Sequence, residues 1–410
     1  MKKQLFKNIK GLVLAGEDFP VLLAGEEMNK LPILTDAFLA LEDGEVVAYG
    51  AMSDWEGIID WRDLEVIDAE GKFILPAFCD SHTHTVFAKT REEEFVDRIK
   101  GLSYEEIALK GGGILNSARK LQEMDEDQLF FLAVDRLEKM ISNGTGAVEI
   151  KSGYGLSVAA ELKMLRVIKR LKTQFTIPIK ATLLAAHAFP IEFKENHRGY
   201  IDLIINEIIP VVKKEGLADY IDVFCERNYF SVDEMEEILL AGINSGLKPK
   251  VHVNQFSSIG GLQKAIELNA LTVDHLEELT EQDVLSLKAG NSLPVLLPGC
   301  SHFLSIPYAD VLKLKHENIP FALASDFNPG STPCYNLSVI WSLACTKMRL
   351  TPEEALCALT INAAAAMELS SSHGTISLGK KPGIILTKEI PSLSYIPYSF
   401  GENLIERVYI

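Results

Sequence analysis

The sequence has no apolar stretch long enough to span a bilayer, no paired-cysteine motif and no low-complexity linker. Without roughly 20 consecutive apolar residues a transmembrane helix is excluded. The six cysteines (Cys79, Cys225, Cys300, Cys334, Cys345 and Cys357) are scattered. They offer neither a disulfide framework nor a CxxC, and read as small core residues kept reduced in a cytoplasm. Positive charge is scarce: 40 basic residues against 57 acidic ones leave a formal charge of -17. Such a surface repels phosphate backbones and anionic membranes, which excludes nucleic acid and membrane as partners. The basic start is followed by an apolar run, Gly11-Leu-Val-Leu-Ala-Gly16, that Glu17 cuts short. That run is too brief for a secretory signal, so a cytoplasmic location is expected. The triple glycine Gly111 to Gly113 lacks the Lys-Ser/Thr ending of a phosphate-binding loop, and reads as a mobile loop over a site.

What remains is an ordinary globular composition, 47% apolar and 24% charged, in a chain of 410 residues that can bury a large core. Short β-like runs and turn chemistry such as Glu42-Asp-Gly44 fill residues 1–72, where there is no histidine. From residue 73 apolar strands alternate with helical patterns. Eight strand candidates follow, at 73–79, 146–150, 177–185, 220–225, 249–253, 271–273, 293–297 and 320–324. Helices are expected at 125–141, 157–172, 231–246 (capped by Ser231), 260–268 and, rich in alanine, 352–367. The fold class is therefore α/β, a (β/α)8 TIM-like barrel over 73–370. The segment 371–410 is expected to return and complete, with 1–72, a small discontinuous β-sandwich domain.

Active sites of such barrels sit at the C-terminal ends of the strands. Five of the nine histidines fall there: His82, His84, His187, His252 and His275. Lys151, Tyr154, Glu226 and Asp326 join them. In Asp80-Ser-His-Thr-His84 the two histidines stand two apart, so on a strand both face one side. With His252 and Asp326 they offer three neutral nitrogens and a carboxylate, a set suited to one zinc or iron ion with a position open for water. Such an ion lowers the pKa of water from near 16 to about 7.

Several neighbours admit two readings. His275, in Val273-Asp-His-Leu-Glu277, is either an acid/base group or a fourth nitrogen ligand. His187 is either in the site or a hydrogen-bonded loop histidine. Glu226 either activates water, directly or through Gln255, or forms a structural pair at the rim. Arg91 either clamps a substrate carboxylate or pairs with the Glu run beside it. Tyr154 and the loop Asn328 to Ser331 add donors around the mouth, although such Gly/Pro-rich loops are often only turns.

These residues resemble the imidazolonepropionase family of the amidohydrolase superfamily. The resemblance rests on Asp80-Ser-His-Thr-His84, Arg91, Gly111-Gly-Gly-Ile114, Lys151-Ser-Gly-Tyr-Gly-Leu156, Ala186-His-Ala188, Asp222-Val-Phe-Cys-Glu226, His252-Val-Asn-Gln255, Asp274-His-Leu-Glu277, Leu296-Leu-Pro-Gly299 and Ser325-Asp-Phe-Asn-Pro-Gly-Ser331. It implies a metal-dependent hydrolase of histidine degradation that opens the ring of 4-imidazolone-5-propanoate to N-formimidoyl-L-glutamate. It makes His82, His84, His252 and Asp326 the ligands of one divalent or trivalent ion, zinc or iron. It sets Arg91, Tyr154, His187, Asn328, Gly330 and Ser331 on a small substrate with a carboxylate, and gives His275 and Asp326 catalytic parts. Gln255 stands where some members have Glu, so either Gln255 or Glu226 orients the water. After Gly379-Lys-Lys-Pro-Gly383, Ile384-Ile-Leu replaces the usual Ala-Asp-Leu-like run, which leaves the pairing of that segment open. A homodimer is expected because two-fold assemblies are common. Two rivals remain. A deaminase acting on an aromatic ring amine would have less use for Arg91, and a dead scaffold barrel would have lost ligands.

Overall fold

In the computed structural model, which describes residues 2–58, 60, 62–102, 106 and 112–410, the apolar run beginning at Phe73 is divided between two sheets. Lys72–Pro76 belongs to the small sheet, and the first barrel strand is Phe78–Thr83 rather than 73–79. The hand-over occurs at Ala77. Its amide donates to Gly383, whereas the next amide, of Phe78, donates to Gly144 beside the second barrel strand. Pro76 has no amide to continue the first ladder.

The strands of both termini form one seven-stranded mixed sheet. Lys3–Val13 pairs with Ile33–Glu42 on one side, and with Leu64–Asp68 and Lys72–Pro76 on the other. Asp43 and Gly44 both have positive φ, which makes the link to Glu45–Ala51 the tight hairpin that Asp-Gly favours. The divergent Ile384-Ile-Leu segment is a strand, Ile384–Glu389, held between Lys72–Pro76 and Ile405–Tyr409. Phe6, Ile9, Leu12, Leu39, Ile74 and Leu386 fill a core of this sheet's own.

The eight barrel strands run in sequence order and in parallel. After the first come Thr145–Lys151, Ile179–Ala186, Tyr220–Cys225, Lys248–Val253, Thr272–His275, Leu293–Leu296 and Ala322–Leu323. The eighth strand is only two residues long, so closure rests on the chain just beyond it. His84 donates its amide to Phe327 at 2.8 Å, and Asp326 donates its amide to His82 at 3.0 Å. Barrel closure and the positioning of three predicted ligands, His82, His84 and Asp326, thus rest on the same hydrogen bonds.

Helices start where side chains can satisfy their open amides. Asp125, Ser157 and Ser231 cap Glu126–Ser142, Val158–Gln174 and Val232–Asn244, and Ser231 forms a reciprocal capping box with Glu234. The alanine-rich stretch is two helices, Pro352–Leu359 and Ile361–Ala366, not one. Thr360 breaks it: its hydroxyl donates to the Leu356 carbonyl at 2.6 Å while its backbone leaves the helical region. Among the described residues no helix is long and apolar enough to cross a membrane.

Candidate metal centre and active site

His82 lies in the first barrel strand and His84 just past its end, two residues on and therefore on the same side. His252 comes from the fifth strand. The ligand nitrogens of these three lie within 4.8 Å of one another. Asp326, in a left-handed conformation at φ 53, brings Oδ1 to 3.6 Å from Nε2 of both His82 and His84.

The tautomers follow from the partners. Nδ1 of His82 is 2.6 Å from the Asp274 carboxylate, and Nδ1 of His252 is 2.9 Å from that of Asp222. Carboxylates accept, so each Nδ1 carries the proton and each Nε2 presents a lone pair. Both Nε2 atoms, and Nδ1 of His84, are buried without a hydrogen-bond partner. Burial, together with Lys151 and the neighbouring imidazoles, holds His82 and His84 well below the usual histidine range. The orphaned Nε2 atoms of His82 and His252 and an imidazole nitrogen of His84, gathered with the Asp326 carboxylate, fit a zinc- or iron-like ion.

Beneath this centre lies an ion network. Lys151 points into the barrel and is fully buried, not at the mouth as its place at a strand end suggested. It bonds Glu149 at 2.7 Å and Asp222 at 2.9 Å and lies 3.7 Å from Asp274. Lys250 bonds the other oxygen of Glu149. Asp80 ties the first strand to the eighth by accepting from the Ser325 amide (3.0 Å) and hydroxyl (2.6 Å), next to Asp326.

Above the centre opens a cavity of about 580 Å³, and every predicted site residue except the deeper His82 lines it. His187 stacks on His84 at 5.3 Å between centroids. Its Nδ1 donates to the Gly153 carbonyl at 3.0 Å, and burial pushes its pKa down to about 3, so the ring is neutral with Nε2 an acceptor. The pairing reading of Arg91 holds, and the pairing leaves Arg91 at the cavity. It lines the cavity, and its Nε and Nη2 meet one Glu94 oxygen at 2.7 and 2.5 Å. A Cβ on Gly330 would stand 2.2 Å from Arg91 Nη1, so only glycine lets the guanidinium lie there. Asn328 organises its loop: its oxygen accepts the amides of Gly330 and Ser331 at 2.8 and 2.7 Å. Glu226 accepts from the amides of Arg227, Phe256 and Ser257 and from the Ser257 hydroxyl, which makes it a loop clamp at the cavity wall. Of the triple glycine, Gly111 lies outside the described residues.

Comparison with known proteins places this geometry. The amidohydrolase family model matches residues 73–405. The imidazolonepropionase of Flavobacterium johnsoniae is 53% identical over 406 residues, covering 99% of this chain and 98% of its own. That of Christiangramia forsetii is 52% identical with the same coverage. The chain belongs to the amidohydrolase family, among the imidazolonepropionases. In fold it is similar to the structure of guanine deaminase from E. coli, with a TM-score of 0.76, 14% identity, and coverage of 100% of this chain and 98% of that one.

In this amidohydrolase His275 stands at φ 87 and is followed by Leu276 at φ 66, two strained non-glycine residues in a row at the cavity. Burial works against its charged form, but Glu277, Asp326 and Asp274 raise its pKa above the ordinary value. Sequence reasoning assigned no role to Asp222, Asp274 or Glu149. The signal was the i, i+2 pairing of Glu149 with Lys151 and of Lys250 with His252 on barrel strands. Arg98 was missed too. It lines the cavity and donates to the Gly330 carbonyl at 2.7 Å. Thr332, also missed, donates to Asp326 Oδ2 at 3.2 Å.

Proposed function

We propose that the protein opens the imidazolone ring of 4-imidazolone-5-propanoate by hydrolysis, giving N-formimidoyl-L-glutamate in histidine degradation. The observation that carries this reading is a three-histidine, one-aspartate centre at the floor of a cavity whose wall bears Arg91, in a chain matched end to end by imidazolonepropionases. Water adds across the ring amide. Its oxygen joins the carbonyl carbon, the C–N bond breaks, and the freed nitrogen takes a proton. The carbonyl carbon becomes the α-carboxylate of the product.

His82, His84, His252 and Asp326 would hold one zinc or iron ion, which supplies a water activated at neutral pH and a positive charge near the carbonyl oxygen. Asp326, whose carboxyl burial pushes up, takes the water's proton and passes it to the leaving nitrogen. His275, its imidazolium supported by Glu277, donates toward the carbonyl oxygen as charge develops there. His187 accepts a ring N–H at Nε2, Tyr154 stands beside it at 5.4 Å between ring centroids, and Ser331 lines the same cavity. Arg91, held in place by Glu94, orients the propionate, and orientation lowers the barrier directly. Glu226 already serves four donors, which favours Gln255 for orienting the water. The reading extends to a cytoplasmic homodimer, supported by six free cysteines and by the prevalence of two-fold assemblies.

The test follows the ultraviolet absorbance of freshly generated imidazolone propionate with metal-loaded protein and an Asp326→Ala control. Enzyme-dependent decay yielding formimidoylglutamate, absent in the control, is expected. Decay only at the spontaneous rate, with metal bound, overturns the substrate.

A further inference from the structure

Beside the predicted centre lies a second group, in which ring opening as proposed above uses His275 and Glu277 but gives Cys300 no part. His275, Glu277 and Cys300 are all buried, and their ligand atoms lie within 4.8 Å of one another. Nδ1 of His275 is 3.4 Å from Glu277 Oε1 and 3.3 Å from Oε2. These separations are long for a charged hydrogen bond. They match the edge of a tetrahedron with metal arms of about 2.05 Å, which is roughly 3.3 Å. Ser301 donates to Glu277 Oε1 at 3.2 Å, whereas Oε2 is buried with no hydrogen-bond partner. The sulfur of Cys300 already accepts from Gln255 Nε2 at 3.3 Å, the contact that supports a coordinated thiolate. A neutral imidazole, a carboxylate and a thiolate sum to a charge of about -2, matching a divalent ion.

We propose that His275, Glu277 and Cys300 form a second cation site for a thiophilic divalent ion such as zinc, whose filling removes His275 from ring opening and inhibits the enzyme. Binding releases to solvent the Cys300 thiol proton and, from the imidazolium form of His275, the Nδ1 proton as well, and three protein donors leave a fourth position for water. The inhibitory half rests on the role given to His275 above; the site itself does not.

The experiment adds cobalt(II) to the metal-loaded protein and follows absorbance. The predicted centre contains no sulfur, so a thiolate-to-cobalt charge-transfer band reports the second site alone. One equivalent should saturate the band, and Cys300→Ser and Glu277→Gln should each abolish it while retaining the first ion. Excess zinc should lower turnover of the parent protein, and the inhibiting concentration should rise at least about tenfold in Cys300→Ser. No thiolate band, or a band that survives Cys300→Ser, overturns the site. A band that saturates without loss of turnover keeps the site and overturns the assignment of His275 to ring opening.

Discussion

Asp274→Asn and Asp222→Asn remove the same charge from two carboxylates that each hold a predicted metal ligand, and the structure orders their effects. Asp274 uses one oxygen on His82, while its Oδ1 is buried without a partner. An asparagine can keep its oxygen on His82 and place its amide nitrogen where no bond existed. Burial already pushes the Asp274 carboxyl up, so loss of its charge costs little in the metal-free protein, about 1–2 kcal/mol for the unmatched amide. What is lost is the negative charge that makes His82 a stronger donor to a metal. Outer partners of this kind are worth roughly 10–100-fold in metal affinity, about 1.4–2.7 kcal/mol. Asp222 uses both oxygens: Oδ1 accepts the His252 amide at 3.1 Å, and Oδ2 accepts His252 Nδ1 and Lys151 Nζ, each at 2.9 Å. An asparagine has one oxygen for three donors, so Asp222→Asn should also lower metal-free stability by about 3–5 kcal/mol. Chelator competition reads the affinities, and urea unfolding of metal-free protein reads the stabilities. Parental metal affinity in Asp274→Asn, or equal destabilisation by both variants, would refute the reasoning.

Arg91→Ala should lower kcat/KM by roughly 30–100-fold, mostly through KM, because a charged hydrogen-bonded anchor is worth about 2–3 kcal/mol; unchanged kinetics would remove Arg91 from the substrate. Gly330→Ala places a methyl 2.2 Å from Arg91 Nη1, so KM should rise while the thermal midpoint stays near the parent's. His373 is buried away from the site, with a pKa pushed down to about 4 by burial and by Lys380. The unfolded chain takes up a proton near 6.5 and the folded one only near 4, so this contribution to stability is full above pH 6.5 and lost as pH falls toward 4. The loss, about 3 kcal/mol, should be missing from the urea-unfolding pH profile of His373→Asn.

The barrel and most of the centre were legible because one rule covers both: apolar strands are read by their runs, and polar residues at their ends face the site. What the sequence concealed has physical causes. Phe73 to Pro76 and the strand after it form one apolar run, and a sheet change within such a run leaves no periodic mark, only Pro76. The helix break at Thr360 is hidden by alanine propensity on both sides and depends on one hydroxyl finding one carbonyl. Lys151 was misplaced because a lysine at a strand end reads as solvent-facing, whereas here the barrel interior is itself ionic. Arg91 could not be assigned to Glu94 or to the cavity alone, since the fold gives it both.

That ionic interior ties the imidazoles of the centre to the barrel without an ion. Glu149, Asp222, Asp274, Lys151 and Lys250 are at most 1% exposed, three carboxylates against two ammonium groups. As a core this is poor: apolar residues of equal volume are often as stable or more so. As a platform it does what apolar residues cannot. Lys151 bridges Glu149 and Asp222 and lies beside Asp274, so the carboxylates that orient His82 and His252 share one cation and cannot move independently. Removing either lysine, or Glu149, the partner of Lys250, takes from a buried charge its counter-ion, whereas removing the whole set releases both imidazoles to rotate and change tautomer. The network therefore acts as a unit, and its function is read at the two Nε2 atoms above it rather than in the stability of the barrel.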